Sequence, residues 1–294
     1  PHVGVRKTRS RVTSSVRSPS RTSWRSVRTS TATECGSPSR KRKTRGHPRS
    51  RRCSAPTRSR SVFMALDTRY RPQNYDDVIG QEATVAVLKQ FVVEGRGFYQ
   101  SYVFCGQHGS GKTTLGRILA RSLLCGTPVD GAPCDQCESC LTFLSGDTHE
   151  CFEELDAATK SGKADLARII EDVSYSTVSG KRRIYLFDES HRLSKAALDA
   201  LLKPMEDSAP GSEDKRLVCI FCTTEPEKMV GTIFSRCAPA FKIRSAPLED
   251  IATRLAFICE QESITYDQDA LMLISEQSES HIRDAIKMVE GVSM

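Results

Sequence analysis

The sequence predicts an α/β fold with a parallel β-sheet, and three consecutive stretches of the chain support this. Residues Tyr102 to Cys105 form a short apolar run with β-branched and aromatic side chains, which is typical of a buried parallel strand. The glycine-rich segment 106–113 follows directly, and apolar residues at helical spacing begin at Leu115. A strand, a glycine loop and a helix in this order are the structural context of a phosphate-binding loop.

The glycine loop matches the pattern G-x-x-x-x-G-K-[ST], the P-loop. Its glycines allow backbone N–H groups to surround a polyphosphate, and the following helix adds the positive end of its dipole. Lys112 is predicted to bridge the β- and γ-phosphates, and the Thr113 hydroxyl is predicted to hold Mg²⁺. A glycine-rich turn without a ligand is the alternative. The sequence predicts a nucleoside triphosphate site, with ATP contacts at Gly106, Gly109, Ser110, Gly111, Lys112, Thr113 and Thr114.

The first 63 residues differ sharply in composition from the rest. They contain 15 Arg and 3 Lys against one acid, Glu34, so this segment carries +17 and the remainder −10, within a total of +7. Few large apolar residues and no periodicity predict a disordered tail, because little surface can be buried to offset chain entropy. The chain begins at Pro1, and Met64 stands at the change in composition. This favours a mis-assigned start or fragment boundary over a nucleic-acid-binding arm or a transit peptide.

Four of the twelve cysteines have the spacing of metal ligands: Cys125, Cys134, Cys137 and Cys140. Thiolates at short spacing among turn-forming residues suit tetrahedral Zn²⁺, and four ligands close the coordination shell of a structural site. An iron–sulfur cluster and free or disulfide-linked thiols are the alternatives. No apolar run approaches the ~18 residues that a membrane span needs, and there is no secretory signal. We therefore expect a reduced, cytoplasmic protein with no membrane contact.

A second apolar strand, Arg183 to Phe187, ends in two carboxylates, which is the Walker B arrangement. Asp188 is predicted to act on Mg²⁺ through its water shell, and Glu189 to polarise the attacking water. A solvated turn is the alternative. The strand Leu217–Cys222 ends in Thr223 and Thr224, either of which could contact the γ-phosphate, although a strand cap also fits.

Upstream of the P-loop, the lead-in segment around Pro72 and Gly80 is predicted to be a structured loop. Its residues Tyr70, Arg71, Pro72, Val78 and Ile79 could form a wall against an adenine base, while a plain packed loop is the alternative. Further predicted elements are helices over Ala83–Val93 and Ala164–Val173, strands over Cys151–Asp156 and Phe241–Ile243, and a helix after Ser194 that Pro204 should kink or end. From Leu248 onward, three apolar stripes predict helices: Ile251, Leu255 and Ile258; Leu271, Leu273 and Ile274; and Ile282, Ile286, Met288 and Val289.

Residues 64–294 resemble the gamma/tau subunits of bacterial DNA polymerase III, the motors of the clamp loader, and phage-encoded loaders look similar. The motifs follow one another in family order: Tyr70-Arg-Pro, Gly80-Gln, the P-loop, the four cysteines, Asp156-Ala-Ala-Thr, Asp188-Glu-Ser-His-Arg-Leu-Ser-Lys, Ala200-Leu-Leu-Lys203, Thr223-Thr-Glu-Pro-Glu-Lys, Ser235-Arg-Cys and Ile282-Arg-Asp-Ala. The tail 1–63 matches nothing in the family. Pro204 stands where relatives commonly carry a small polar residue.

The resemblance implies an AAA+ module with a five-stranded parallel sheet between helices and a small three-helix lid. We expect the ATPase core at 64–243, with the zinc module at 125–140, and the lid at 244–294. No collar domain follows the lid, which favours a truncated chain over an isolated motor. The family also implies that Thr224 or Thr223 acts as sensor 1, that Arg283 acts as sensor 2, and that Arg236 is an arginine finger for the neighbouring subunit.

The implied function is ATP hydrolysis that opens a sliding clamp and loads it onto primer–template DNA. The implied partners are other clamp-loader subunits in a hetero-oligomeric, pentameric ring, the sliding clamp and the DNA. Another AAA+ ATPase of DNA metabolism, of the branch-migration or initiator type, is one alternative, and a loader subunit that binds nucleotide without hydrolysis is a second. A nucleic-acid-binding protein centred on the basic tail is a third.

Overall fold

The computed structural model describes residues 64–95, 101–159, 167–169, 171, 183–207, 217–229, 231–237 and 240–293. All of them belong to one compact unit, 60–294. The predicted disordered tail, 1–63, lies outside the described residues. Most of the predicted helix Ala164–Val173 also lies outside them, although 167–169 and 171 are helical.

Five parallel strands form one sheet, as the family resemblance implies. The strands are β1 Tyr102–Cys105, β2 Phe152–Asp156, β3 Arg183–Asp188, β4 Leu217–Thr223 and β5 Phe241–Lys242. Their order in the sheet is β2-β3-β4-β1-β5. Every residue of β1 and β4 is buried, because helices cover both faces of the sheet.

Besides the helical residues 167–169 and 171, nine α-helices have defined bounds in the described part of the chain, and several connections contain single 3-10 turns. The helices are α1 Leu66–Arg69, α2 Glu82–Val93, α3 Lys112–Leu124, α4 Glu138–Ser145, α5 Lys195–Asp207, α6 Gly231–Phe234, α7 Leu248–Gln261, α8 Gln268–Gln277 and α9 Ile282–Ser293. None of these described helices is long and apolar enough to cross a membrane.

Helix α3 packs on one face of the sheet, and α5 packs on the other. Leu115 and Leu119 of α3 share a core with Leu186 and Ile220, whereas Leu198 of α5 belongs to the core on the opposite face. A Cβ on Gly116 would lie 2.7 Å from Leu186 Cδ1, so a glycine lets α3 approach β3 closely. This packing fixes the N-terminus of α3 at the carboxyl end of β1, where the glycine loop lies.

The C-terminal helices α7, α8 and α9 form a third core, and α1 packs into it. Ile251, Leu255 and Ile258 are all buried as predicted, but Leu273 and Met288 are exposed (58% and 38%). The prediction was wrong for these two because a step of two residues turns an α-helix by about 200°, which places Leu273 and Met288 away from the buried Leu271 and Ile286.

The lead-in segment was predicted to be a loop, and this prediction was wrong at the start of the segment. Leu66 begins the short helix α1 because its side chain is buried among the C-terminal helices.

Pro204 does not end its helix. Helix α5 continues past Pro204 to Asp207, because Leu201 and Met205 on either side of the proline are buried in the core. Apolar packing therefore outweighs the loss of one backbone donor.

Candidate nucleotide site and cysteine cluster

The glycine loop joins the carboxyl end of β1 to the N-terminus of α3. Gly109 and Gly111 have φ of 72° and 94°, a left-handed conformation that favours glycine. Nothing lies within 4 Å of the position that a Cβ on Gly111 would occupy, so this backbone faces open space. Lys112 is only 5% exposed, and its Nζ donates a hydrogen bond of 2.6 Å to the Gln107 carbonyl. Burial lowers the pKa of Lys112, because desolvation disfavours the ammonium ion.

Gly106 serves a different purpose from the other loop glycines. Its N–H donates to the Thr223 carbonyl at 3.2 Å, and a Cβ there would lie 2.4 Å from the carbonyl oxygen of Ile243. It lines a separate groove beside β5 rather than the cleft above the loop. The structure therefore explains Gly106 by close backbone packing.

Two oxygen atoms suited to Mg²⁺ meet beside the loop. Thr113 Oγ1 donates to Asp188 Oδ2 at 2.9 Å, which joins the first turn of α3 to the end of β3. Glu189 follows with φ of 49°, and its N–H donates to Asp188 Oδ1 at 3.0 Å. Hydroxyl and carboxylate oxygens are the ligands that Mg²⁺ prefers, so these residues fit the ion.

A cleft runs from the loop to the C-terminal helices, and the predicted nucleotide contacts other than Gly106 line it. Arg71 Nε donates to Thr114 Oγ1 at 3.2 Å, which ties the lead-in segment to α3. The pKa of Arg71 is lowered, mainly by burial and also by the neighbouring Arg117 charge. Predicted residues along the cleft are Tyr70, Arg71, Pro72, Val78, Ile79, Gly109, Ser110, Gly111, Lys112, Thr113, Thr114, Asp188, Glu189 and Arg283.

Several cleft residues were missed by the sequence analysis. Asp67 accepts a hydrogen bond of 3.2 Å from Arg283 Nε, and Arg254 of α7 donates to the Tyr70 carbonyl at 3.2 Å. The side chain of Asp67 is only 9% exposed. No motif marks these residues, because their position depends on how α1 and α7 pack. Other missed lining residues are Asp77, His108, Ala246, Ser280, Ile282 and Ile286.

The two threonines at the end of β4, Thr223 and Thr224, have different environments. Thr223 is fully buried, and its Oγ1 accepts a hydrogen bond of 3.0 Å from the Glu225 N–H. Thr224 lines a second groove together with Glu189 and His108. Of the two threonines, Thr224 is therefore the one that borders open space beside Glu189.

Arg236 lies outside the cleft of its own chain. Its guanidinium forms an ion pair with Glu206 at the end of α5 and donates to the Thr232 carbonyl at 3.0 Å. The Arg236 side chain is 27% exposed.

The four predicted metal ligands come together at the end of α3. The sulfur atoms of Cys125, Cys134, Cys137 and Cys140 all lie within 4.8 Å of one another, and none of the four is in a disulfide. Cys137 Sγ is 3.9 Å from Cys125 Sγ, close to the ~3.8 Å that tetrahedral Zn–S bonds of about 2.3 Å imply.

Local hydrogen bonds favour the thiolate form at one of these ligands. The Thr127 side chain, with the backbone N–H groups of Gln136 and Cys137, lowers the pKa of Cys134 to about 5. Burial raises the pKa of Cys125 and Cys140, so the fit of the cluster to Zn²⁺ rests on the close approach of its four sulfur atoms.

Comparison with known proteins identifies the family. A family model described as "DNA polymerase III, delta subunit" matches residues 80–246. DNA polymerase III subunit gamma of Buchnera aphidicola is 36% identical over 228 residues, which are 78% of this chain and 60% of that protein. Subunit tau of Escherichia coli K12 is 33% identical over 78% of this chain and 34% of its own length. The chain thus spans between about a third and three-fifths of the length of these relatives.

Solved structures support the fold. The Holliday junction branch migration motor RuvB of Thermotoga maritima has a TM-score of 0.54 at 18% identity, covering 75% of this chain and 64% of that one. A single-site variant of this RuvB has a TM-score of 0.56 at 21% identity. At this identity the likeness concerns the AAA+ fold alone. Together with the relatives above, it establishes that the chain is an AAA+ protein belonging to the DNA polymerase III gamma/tau family.

Proposed function

We propose that this chain is an ATP-hydrolysing motor subunit of a DNA polymerase III clamp loader. The observation that carries the proposal is the meeting of Thr113 Oγ1 and Asp188 Oδ2 at 2.9 Å, beside the buried Lys112. Glu189 follows Asp188 at the carboxyl end of β3. A phosphate-binding cation, a pair of metal ligands and an acidic base are the parts that phosphoryl transfer to water requires.

Each residue has a distinct task in this proposal. Lys112 and the loop N–H groups bind the β- and γ-phosphates, and Thr113 with Asp188 would hold Mg²⁺, which supplies positive charge to the phosphates. Glu189 orients the attacking water and accepts its proton. Thr224 is the better placed of the two threonines for sensor 1, because Thr223 is occupied inside the protein.

The C-terminal helices would respond to the nucleotide. Arg283 lines the cleft from α9, where it can contact the γ-phosphate as sensor 2. Residues 244–294 would then act as a lid on the core 64–243. Val78 and Ile79 line the same cleft as Ile282 and Ile286, which gives the adenine base an apolar surface.

Arg236 would complete the site of a neighbouring subunit. It lies away from the cleft of its own chain, as a residue acting in trans requires, and its pairing with Glu206 keeps it ordered before assembly. Its fixed charge and planar donors suit the charge that develops on a transferring phosphoryl group. The proposed partners are the other loader subunits in a pentameric ring, the sliding clamp and primer–template DNA, in the cytoplasm.

The four-cysteine cluster would bind one structural Zn²⁺. All four ligand positions are taken by sulfur atoms, so no position is open for catalysis. The metal would tie the end of α3 to the start of α4.

The test is ATP hydrolysis by the chain with its loader partners, with and without primed DNA and a sliding clamp. We expect stimulation by clamp and DNA together, and we expect Glu189→Gln to bind ATP normally without hydrolysing it. Arg236→Ala should leave ATP binding by its own chain unchanged and silence the neighbouring site in mixed assemblies. Full hydrolysis by Glu189→Gln would remove this residue from the mechanism.

A branch-migration motor is the second candidate, because the fold resembles RuvB. In that case a four-way DNA junction, rather than clamp and primed DNA, would stimulate hydrolysis. A subunit that binds without hydrolysing is disfavoured, because Lys112, Thr113, Asp188 and Glu189 are all present.

A further inference from the structure

We infer that His191 is a positioning residue that holds the carboxylate of Glu189 in place for hydrolysis, an inference that rests on the proposed ATPase function. His191 lies in the 3-10 turn Ser190–Arg192, directly after Glu189. Its side chain is only 7% exposed, and its Nε2 lies 3.5 Å from Glu189 Oε2 and 3.3 Å from Glu225 Oε1. Its Nδ1 lies 3.3 Å from Thr223 Oγ1.

These contacts join the carboxyl ends of two neighbouring strands. Asp188 ends β3, and Thr223 ends β4, which pairs with β3 in parallel. A hydrogen bond to β4 fixes the turn that carries His191, because Ser190 Oγ donates to the Cys222 carbonyl at 3.0 Å. The imidazole therefore bridges the segment after β3 and the segment after β4.

The partners of Nε2 indicate that this ring nitrogen carries a proton. Nε2 faces carboxylate oxygens of Glu189 and Glu225, which accept hydrogen bonds when ionised, so Nε2–H points toward them. The Thr223 hydroxyl, which accepts from the Glu225 N–H at 3.0 Å, has both a hydrogen and a second lone pair with which to meet Nδ1. Glu225 is itself held by Lys228 Nζ at 2.5 Å.

Glu189 needs such support because its backbone is unusual. A φ of 49° is a sparsely populated conformation for glutamate, and it belongs neither to a regular strand nor to a right-handed helix. His191 is not among the residues that line the nucleotide cleft. It can therefore act on hydrolysis only through Glu189 and the β4 segment, and not by contact with the nucleotide.

The functional consequence is a selective loss of turnover. Displacing a catalytic group by about 1 Å costs on the order of 100-fold in rate, so we expect His191→Phe to lower kcat about 10- to 100-fold. The KM and the affinity for ATP should stay the same, because the residues that line the cleft are unchanged. His191→Gln keeps a side-chain N–H that can reach Glu189, so it should recover part of the lost rate.

The experiment combines kinetics with nitrogen NMR of the histidine rings in the full chain. Hydrolysis is measured in the assembled loader for wild type, His191→Phe, His191→Gln and the exposed control Lys195→Gln. The ring signal of His191 is identified by its disappearance in His191→Phe, and it is then followed in Glu189→Gln. We expect the Nε2 shift to move in Glu189→Gln, because an amide is a weaker acceptor than a carboxylate.

The two readouts separate this inference from the proposed function. Wild-type kcat in His191→Phe, or an unmoved Nε2 signal in Glu189→Gln, would overturn the role of His191 while leaving the ATPase proposal intact. An equal loss of rate in Lys195→Gln, or a raised KM in His191→Phe, would also overturn it. A different result would separate the two proposals. If the Nε2 signal moves in Glu189→Gln but the wild-type chain binds ATP without hydrolysing it, the contact between His191 and Glu189 is supported and the proposed function is overturned.

Discussion

Replacing Thr113 with valine tests whether the threonine hydroxyl and Asp188 form a magnesium site. Valine keeps the shape of threonine but has no oxygen, so Thr113→Val removes one hydroxyl and its 2.9 Å contact with Asp188 Oδ2. A hydrogen bond to a charged group contributes about 1.5–3 kcal/mol, which corresponds to about a 10- to 150-fold change in affinity. We expect the loss of the contact between the Thr113 hydroxyl and Mg²⁺ to change the affinity by a factor of this size.

The assay is a titration of the full chain with ATP, once with Mg²⁺ and once with EDTA. The Kd with Mg²⁺ should rise about 10- to 150-fold in Thr113→Val, and the Kd with EDTA should change roughly threefold or less. The matched control is Thr114→Val, which removes the acceptor of Arg71 Nε one residue further along. Its effect should be the same with and without the metal.

Two results would refute this reasoning. An equal loss of affinity with Mg²⁺ and with EDTA would mean that the Thr113 hydroxyl contacts the phosphates or supports the loop. No loss in either condition would mean that the bond between Thr113 and Asp188 has no part in nucleotide binding.

Further changes test the P-loop lysine, the cysteine cluster and one glycine contact. Lys112→Met should weaken ATP binding by about 100-fold or more, because it removes the ammonium charge that Lys112 places at the loop, and unchanged affinity in the same titration would exclude the assignment. Cys134→Ser should reduce the zinc content, measured by atomic emission, from one ion per chain and lower the midpoint of thermal unfolding, whereas equal zinc content would contradict the site. Gly131→Ala should lower the free energy of unfolding by about 1–3 kcal/mol more than Gly146→Ala, as measured by urea titration. Both glycines have positive φ (79° and 77°), but only the Gly131 Cβ would clash, at 2.2 Å from the Lys89 carbonyl oxygen, so equal losses would show that the clash costs nothing.

The strands and the P-loop could be predicted because their signals are local. The run Tyr102–Cys105 is apolar throughout, and β1 has those same bounds, because a strand covered on both faces needs no polar positions. The side chains of Thr113 and Asp188 are 75 positions apart, yet their contact follows from the rule that parallel strands end at one edge of the sheet.

Other parts of the cleft depend on packing between distant segments. Asp67 and Arg283 are 216 positions apart, and their contact requires α1 to lie against α9. Neither the charge nor the spacing of Asp67 indicates this, and the single buried apolar residue of α1, Leu66, is too little to reveal a helix. Gly106 matched the P-loop pattern, but the close approach of the Ile243 carbonyl depends on the position of β5.

Two of the local costs of this fold lie where the proposed chemistry would occur. A buried lysine gives up hydration, and a glutamate at positive φ costs on the order of 1–3 kcal/mol, so Lys112 and Glu189 both oppose folding locally. The sheet beneath them carries no such cost, because β1 and β4 are buried along their whole length and covered by α3 and α5. Both residues are also held by contacts close to them in the chain: Lys112 by the Gln107 carbonyl, and Glu189 by Asp188 and His191. Such contacts hold the two groups before any ligand arrives, and this is the property that a site for phosphoryl transfer needs.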